Sequence, residues 1–522
     1  MDIKKLVLAT AVFGSLGGLY GCSGDEDANI TIDDNSVTTT TNNNTNNTNT
    51  GGDDTNAGFF DDQAAIDASV AAIPGATTRS VVRTNPATGA DVAVTAVQLP
   101  AEILVDVTLD SDVLYFLNSR VTVGNGNQEM SATDGILADG VTEVTSATIT
   151  IEAGTQIVGN SDTFANLLIT RGSQIMAMGT AAEPIVFSSD DTDIDGSGEW
   201  GGLIIQGYGR TNLCEYPEDD GVSAALVCNF DGEGESGFAG GHDNADNSGV
   251  LNYVIVAEGG FEFAVGDEIN GISFLSVGSG TEVDFVQVHN NSDDGIEFFG
   301  GAVNASHLVL TGNQDESLDW DEGYVGNVQF AIAVQNDNSD FGIEADSLGN
   351  PGPLSAPTIA NATFLGAGRG ASILHRLQRT TGAFVHNSVL TSLTGDPVST
   401  SCVVVEDQAT LDNAAGMNPS IVYNNIIADC ATFQFNDFTP VDPTVAIDES
   451  TVFSVSAMID GILASGAAEA ALAAPIDFAA FNASNTSSTA DVNFLEATDY
   501  IGAVEPGAAT LWYDGWTVDG SL

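Results

Sequence analysis

Lysine is missing from the chain after Lys5. Arginine is scarce: Arg79, Arg83, Arg120, Arg171, Arg210, Arg369, Arg376 and Arg379 complete a set of 10 basic residues against 73 acidic ones. A surface so short of cations repels nucleic acid and anionic lipid headgroups, so neither is expected as a partner. The same charge keeps a protein soluble in salt and fits a saline, calcium-bearing medium. The 5 cysteines form no CxxC pair and the 5 histidines are scattered, so no spacing suits a zinc site.

What is present first is an address. Lys4 and Lys5 precede the apolar run "LVLATAVFGSLGGLY", which is too short and too early to span a membrane in a mature protein. It closes on "LYGC" (Leu19–Cys22), which resembles a bacterial lipobox. The expectation is a signal peptide over 1–21, an acylated Cys22 and, with Ser23 following, a lipid-anchored place in the outer membrane at the cell surface. An ordinary signal peptide with an incidental cysteine is the alternative. Residues 22–57 are a low-complexity acidic and Asn/Thr tether, with too little apolar content for a core. The four remaining cysteines fall into two local pairs, Cys214 with Cys228 and Cys402 with Cys430, expected as disulfides in an exported chain.

The body reads as all-β. Short β-branched runs end in Gly or Asn, as in "SATITIEAGTQIVG", "GVLNYVIVAEGG", "VDFVQVHNN" and "ASHLVLTGN". Val286 falls over Leu308, Val288 over Leu310 and Asn291 over Asn313, each at an offset of 22; Ile296 over Leu318 repeats 22, and Leu318 over Ile343 gives 25. A period of 22–25 residues carrying two or more strands predicts one coil of a parallel β-helix. Residues 58–139 would hold an N-terminal cap and first strands, 140–450 the β-helix, and 451–522 a C-terminal cap. Helical spacing appears in "DDQAAIDASVAAI" (Asp61–Ile73) and in the Ala-rich stretch Ser456–Ala474. Trp512 and Trp516 are expected to close the open end, and Trp320 to lie in the core.

The stretches "GTAAEPIVFSS", "GEWGGLIIQG", "EINGISFLSVGSGTEVDFVQVHNNSDDGIEFFGGAVNASHLVLTGNQDESLDWDEGY" and "TDYIGAVEPGAATLWYDGW" carry a resemblance. They look like a family of secreted or lipid-anchored bacterial proteins with the right-handed parallel β-helix of the pectin-lyase-like fold, of largely unknown function. The resemblance implies fold and address, and brings no catalytic residue with it.

Acids recur on the same register. In "GIEFF", "SLDWD" and "GIEAD", Ile296, Leu318 and Ile343 face inward with Phe298, Trp320 and Ala345, which turns Glu297, Asp319 and Glu344 outward on three successive coils. Asp293, Asp294, Asp315, Asp321 and Asp346 lie beside them. Two carboxylates about 4.8 Å apart repel by about 3 kcal/mol at an effective dielectric of about 20. Ca²⁺ prefers carboxylates together with turn carbonyls, so all eight are candidate calcium ligands. A solvated acidic face is the plainer alternative.

A third possibility is catalysis. β-Helices host polysaccharide lyases and hydrolases, and Glu297, Asp319, Glu344 and Arg376 are the residues such a site would use. Pectin-type hydrolases pair aspartates with histidine and an Arg-x-Lys element, which a chain without lysine beyond Lys5 cannot supply. The cluster "RGASILHRLQR" (Arg369, His375, Arg376, Arg379) is either a carbohydrate contact or a counter-charge to Glu344 and Asp346. "GHDNADNSG" (Gly241–Gly249) is a second cation loop or an Asx-rich turn. Exposed tryptophans, Trp200 among them, would suit sugar rings. The leading expectation is a Ca²⁺-stiffened surface protein contacting polysaccharide or another surface protein.

Overall fold

The structure, a computed structural model, describes residues 60–85, 88–216, 227–261, 269–347, 354–367, 373–392, 398–415, 420–454, 459–460, 463–464 and 494–522. The signal peptide, Cys22 and the tether lie outside the described residues, as does Arg369.

Parallel strands stack into coils with three walls. Within the larger sheet of 19 strands, the long strands Gly249–Ala257, Glu282–His289, Asn304–Thr311 and Asn327–Val334 each cross two walls; a second sheet of 11 strands is the third wall. The expected register is present: Val286 pairs Leu308, Val288 pairs Leu310, Ile296 pairs Leu318, and Leu318 pairs Ile343. Ile296, Leu318 and Ile343 are fully buried in one apolar core that runs from Ile66 to Ile447. Parallel stacking begins before residue 140, since Val97 already pairs Tyr115 and Glu102 pairs Thr122. At that end the helix Gln63–Ala72 is capped by Asp62 and sends Ile66 and Ile73 into the core.

One corner between the first two walls turns on a left-handed residue in coil after coil. Tyr253, Phe285, His307 and Phe330 hold φ of 50–58°, followed by Asn361, Asn387 and Asn425 at 49–58°. A bulky residue in this conformation costs roughly 1–2 kcal/mol, so each needs an offsetting contact. The aromatic members stack face to face, with ring centroids 4.4, 4.3 and 4.9 Å apart up the corner. The asparagines tolerate the conformation and use their amides for hydrogen bonds, Asn425 Nδ2 donating to Asn387 Oδ1 at 3.1 Å and Asn361 Nδ2 to Tyr500 O at 3.1 Å.

The C-terminal residues correct one expectation. Trp512 and Trp516 do not close an open end; residues 494–518 run as a strap along the outer wall. Trp516 meets the edge-on corner rings of Tyr253 and Phe285 at 5.6 and 6.2 Å, and Trp512 meets His307 at 5.1 Å. The outward amides of Gln287 and Gln329 hold the strap by paired bonds: Gln287 to Val518 N and Ser521 Oγ, Gln329 to Glu496 N and O. A stack of aromatic rings on an outer wall is apolar surface that needs covering, and that is what places these tryptophans here. Of the expected helix at Ser456–Ala474, the described pieces Ile459–Asp460 and Leu463–Ala464 pair as antiparallel strands. The other residues of that stretch are outside the described set.

Both disulfides form. Cys214–Cys228 has a Cα separation of 5.3 Å, and Cys402–Cys430 joins neighbouring strands of the third wall at 5.7 Å. If the strap is part of the packing, Trp516→Ala should destabilise the protein by about 3–5 kcal/mol, read as a lower urea midpoint. An unchanged midpoint would show that the strap adds no packing energy.

Candidate metal centre

On the third wall the core-facing residues alternate with an outward column that can be followed strand by strand. It reads Leu168, Ile204, Ser273, Glu297, Asp319, Glu344, Arg376, Val404. Three acids therefore lie between a serine and an arginine. A turn precedes each acid-bearing strand, and these turns also stack. Asn291 N donates to Asn313 Oδ1 at 3.1 Å, Glu316 N to Asp294 Oδ1 at 2.9 Å, and Asp340 N to Asp315 O at 3.0 Å. Gly295 is required in the first of these turns, because a Cβ there would lie 2.6 Å from the backbone oxygen of Ser317.

The result is a dense set of carboxylates. Four triads each bring ligand oxygens within 4.8 Å of one another: Asp293, Asp294 and Asp315; Asp294, Glu297 and Asp319; Asp315, Glu316 and Asp340; Glu316, Asp319 and Glu344. The expected outward direction holds, but the acids are not a solvated face: Asp294, Glu297 and Glu316 are 4, 8 and 3 % exposed. Asn270 Nδ2, from the preceding coil, donates to Glu297 Oε2 at 2.6 Å. Asp294, Glu297, Glu316 and Asp319 are all held well above the usual carboxylate range, first by burial and then by the charge of a neighbouring carboxylate: Asp293 for Asp294, Glu233 for Glu297, and Asp294 for Glu316 and Asp319. Glu316 Oε1 and Asp319 Oδ1 are buried with no hydrogen-bond partner among the described residues. Oxygens of this kind, gathered at ligand spacing, fit a hard divalent cation.

Among the described residues, the arginines that pair with the column's acids lie at one end of it. Arg376 Nη1 lies 3.0 Å from Glu344 Oε1, and its Nε bonds Glu406 at 2.7 Å. Arg379 takes Asp346 at 2.7 Å. Both described arginines of "RGASILHRLQR" thus act as counter-charges. His375 is fully buried, hydrogen-bonded to Tyr423 Oη at 2.9 Å and pushed down to about 3 by burial, so it faces no ligand. Asp321 and Asp346 stand apart from the four triads as a pair, in which burial and the neighbouring Asp346 carboxylate push Asp321 up to about 10.

Glu316 and Asp340 were missed as candidates. Their signal was in the register: Glu316 lies one 22-residue coil after Asp294, and Asp340 one 25-residue coil after Asp315. The loop "GHDNADNSG" is an Asx turn, with Asp243 and Asp246 accepting bonds from backbone amides of Ala245 and Tyr208. Trp200, Trp320 and Trp516 are buried and present no sugar platform.

A parallel β-helix whose third wall carries a buried carboxylate ladder is the class of protein that fold and site define. The chain belongs to the family described as the pectate-lyase-like beta helix domain, which it matches over residues 137–471. No curated protein and no solved structure matches it.

A further acid triad, Asp191, Glu199 and Glu258, lies elsewhere and has the buried Arg83 guanidinium within its field. Burial, then the charge of Glu199, pushes Glu258 from 4.5 up to about 8. The native state therefore keeps a proton that the unfolded chain releases. Its contribution to stability is full below about 4.5 and is lost as pH rises through about 8. Between those limits the wild type should lose on the order of a few kcal/mol relative to Glu258→Gln in urea titrations. Parallel pH curves for the two proteins would show that Glu258 is ionised in the folded state.

Proposed function

We propose that this protein is a cell-surface lipoprotein, anchored in the outer membrane through an acylated Cys22, whose β-helix is held rigid by Ca²⁺ in the acid ladder. Its role is non-enzymatic: a binding or structural element that contacts polysaccharide or a neighbouring surface protein. The observation that carries the cation is Asp319. It is stacked between Glu297 and Glu344, and its Oδ1 is buried without a partner among the described residues. Mutual repulsion of about 3 kcal/mol per neighbouring pair calls for a cation or protons in that gap. A lyase or hydrolase using Glu297, Asp319, Glu344 and Arg376 finds less support. A polymer needs an open face, whereas Glu297 is 8 % exposed and Arg376 is engaged by Glu344 and Glu406.

Removing calcium should lower the melting temperature. A ligand bound only to the native state adds about 2.7 kcal/mol at a hundredfold excess over Kd. Melting curves in EDTA, in millimolar CaCl₂ and in NaCl of matched ionic strength separate binding from screening. Asp319→Asn should shrink the calcium effect and make the metal-free protein relatively more stable. Identical curves in calcium and matched sodium would remove the cation from the account. For the anchor, mass spectrometry of the mature N-terminus should find diacylated Cys22, and Cys22→Ser should release the protein from membranes. A Cys22→Ser protein still anchored would contradict that address.

A further inference from the structure

Among the four triads two pairs share no residue: Asp293–Asp294–Asp315 with Glu316–Asp319–Glu344, and the pair that contains Glu297 and Asp340. In that second pair Asp294, Glu297 and Asp319 form one triad; Asp315, Glu316 and Asp340 form the other. Within each, the ligand oxygens lie no more than 4.8 Å apart. A calcium ion bonds oxygen at about 2.3–2.6 Å, so two ligands on opposite sides of one ion are about 4.6–5.2 Å apart. Each triad alone therefore has the span of one ion's ligand shell. We infer that the ladder holds two divalent cations side by side, the second on Asp315, Glu316 and Asp340. This rests on the reading of the ladder as a cation site, and adds an ion with its own ligands.

Two independent observations support the second ion. Glu316 is 3 % exposed and its Oε1 has no hydrogen-bond partner among the described residues, so a member of this triad, shared with Glu316–Asp319–Glu344, carries a buried carboxylate oxygen open to a ligand. Charge is the other. With Asp293 and Glu344 the four triads contain eight carboxylates, and the guanidinium that reaches them, Arg376, is shared with Glu406. With all eight ionised, as ligation would require, one divalent ion leaves most of that charge uncompensated, whereas two ions and Arg376 balance more than half of it. The two remaining triads, Asp293–Asp294–Asp315 and Glu316–Asp319–Glu344, each draw members from both sets and so link the two positions. Backbone contacts couple them as well, since Glu316 N bonds Asp294 Oδ1.

The test is a count of ions on the full-length protein after chelation, by calcium equilibrium dialysis in enough NaCl to screen diffuse binding to the acidic surface. Asp340 is exposed on a turn, so Asp340→Asn should fold and should bind one Ca²⁺ fewer than the wild type. Glu297→Gln should also lose one, and the double variant two. A wild type that matches Asp340→Asn, while Glu297→Gln loses one, means a single ion; it overturns this inference and leaves the proposed function standing. Equal counts in all the proteins mean that the ladder binds no ion, and both readings fall. Should Glu297→Gln not fold, Asp340→Asn against wild type decides the second ion alone.

Discussion

Stacking in register places each outward side chain about 4.8 Å from its counterpart on the next coil. That spacing is a benefit for apolar and amide columns, because like side chains fill each other's contact surface. For ionised groups it is the opposite, since the fold holds like charges closer than water would let them stay. The column Glu297–Asp319–Glu344 is where this constraint acts hardest, and burial sharpens it. The coil geometry cannot relax the repulsion without breaking strand pairing that the core beneath requires. Ile296, Leu318 and Ile343 sit on the same strands and are fully buried. Compensation comes from Arg376 at one end of the column and, between the coils, from protons or a cation.

Other columns meet the same constraint with different chemistry. The left-handed corner uses stacked rings from Tyr253 to Phe330 and then hydrogen-bonded asparagines from Asn361 to Asn425. The rings leave apolar surface, and the strap with Trp512 and Trp516 covers it. The acid column ends on Arg376, whose charge meets Glu344 and Glu406 together, and Arg379 does the same for Asp346. Each outward column is thus closed by a side chain or segment suited to it.

The coil repeat was legible because core positions alternate with period two and recur at 22 or 25 residues, so Val286 and Ile296 point directly to Leu308 and Leu318. The acids on strands followed from the same alternation. Those on turns did not all follow: Asp293, Asp294 and Asp315 were read as candidates, while Glu316 and Asp340 passed as ordinary turn residues until the stacking of turns brought them in. Burial of the acids was not readable either. The atoms that shield and bond them, such as Asn270 Nδ2 and Glu316 N, come from other coils at separations of 22 residues or more. The left-handed corner has no sequence signature because its occupants change identity, from Tyr, Phe and His to Asn, while sharing a backbone conformation. The strap was misplaced as an end cap because aromatic composition predicts burial without saying against which surface.

The central claim is that the ladder folds around metal. A crystal structure grown in calcium, with anomalous difference maps, tests it most directly. The account predicts anomalous density between Asp294, Glu297 and Asp319, about 2.3–2.6 Å from their carboxylate oxygens. Carboxylates bonded to one another through shared protons, with water or nothing between the three coils, would contradict it.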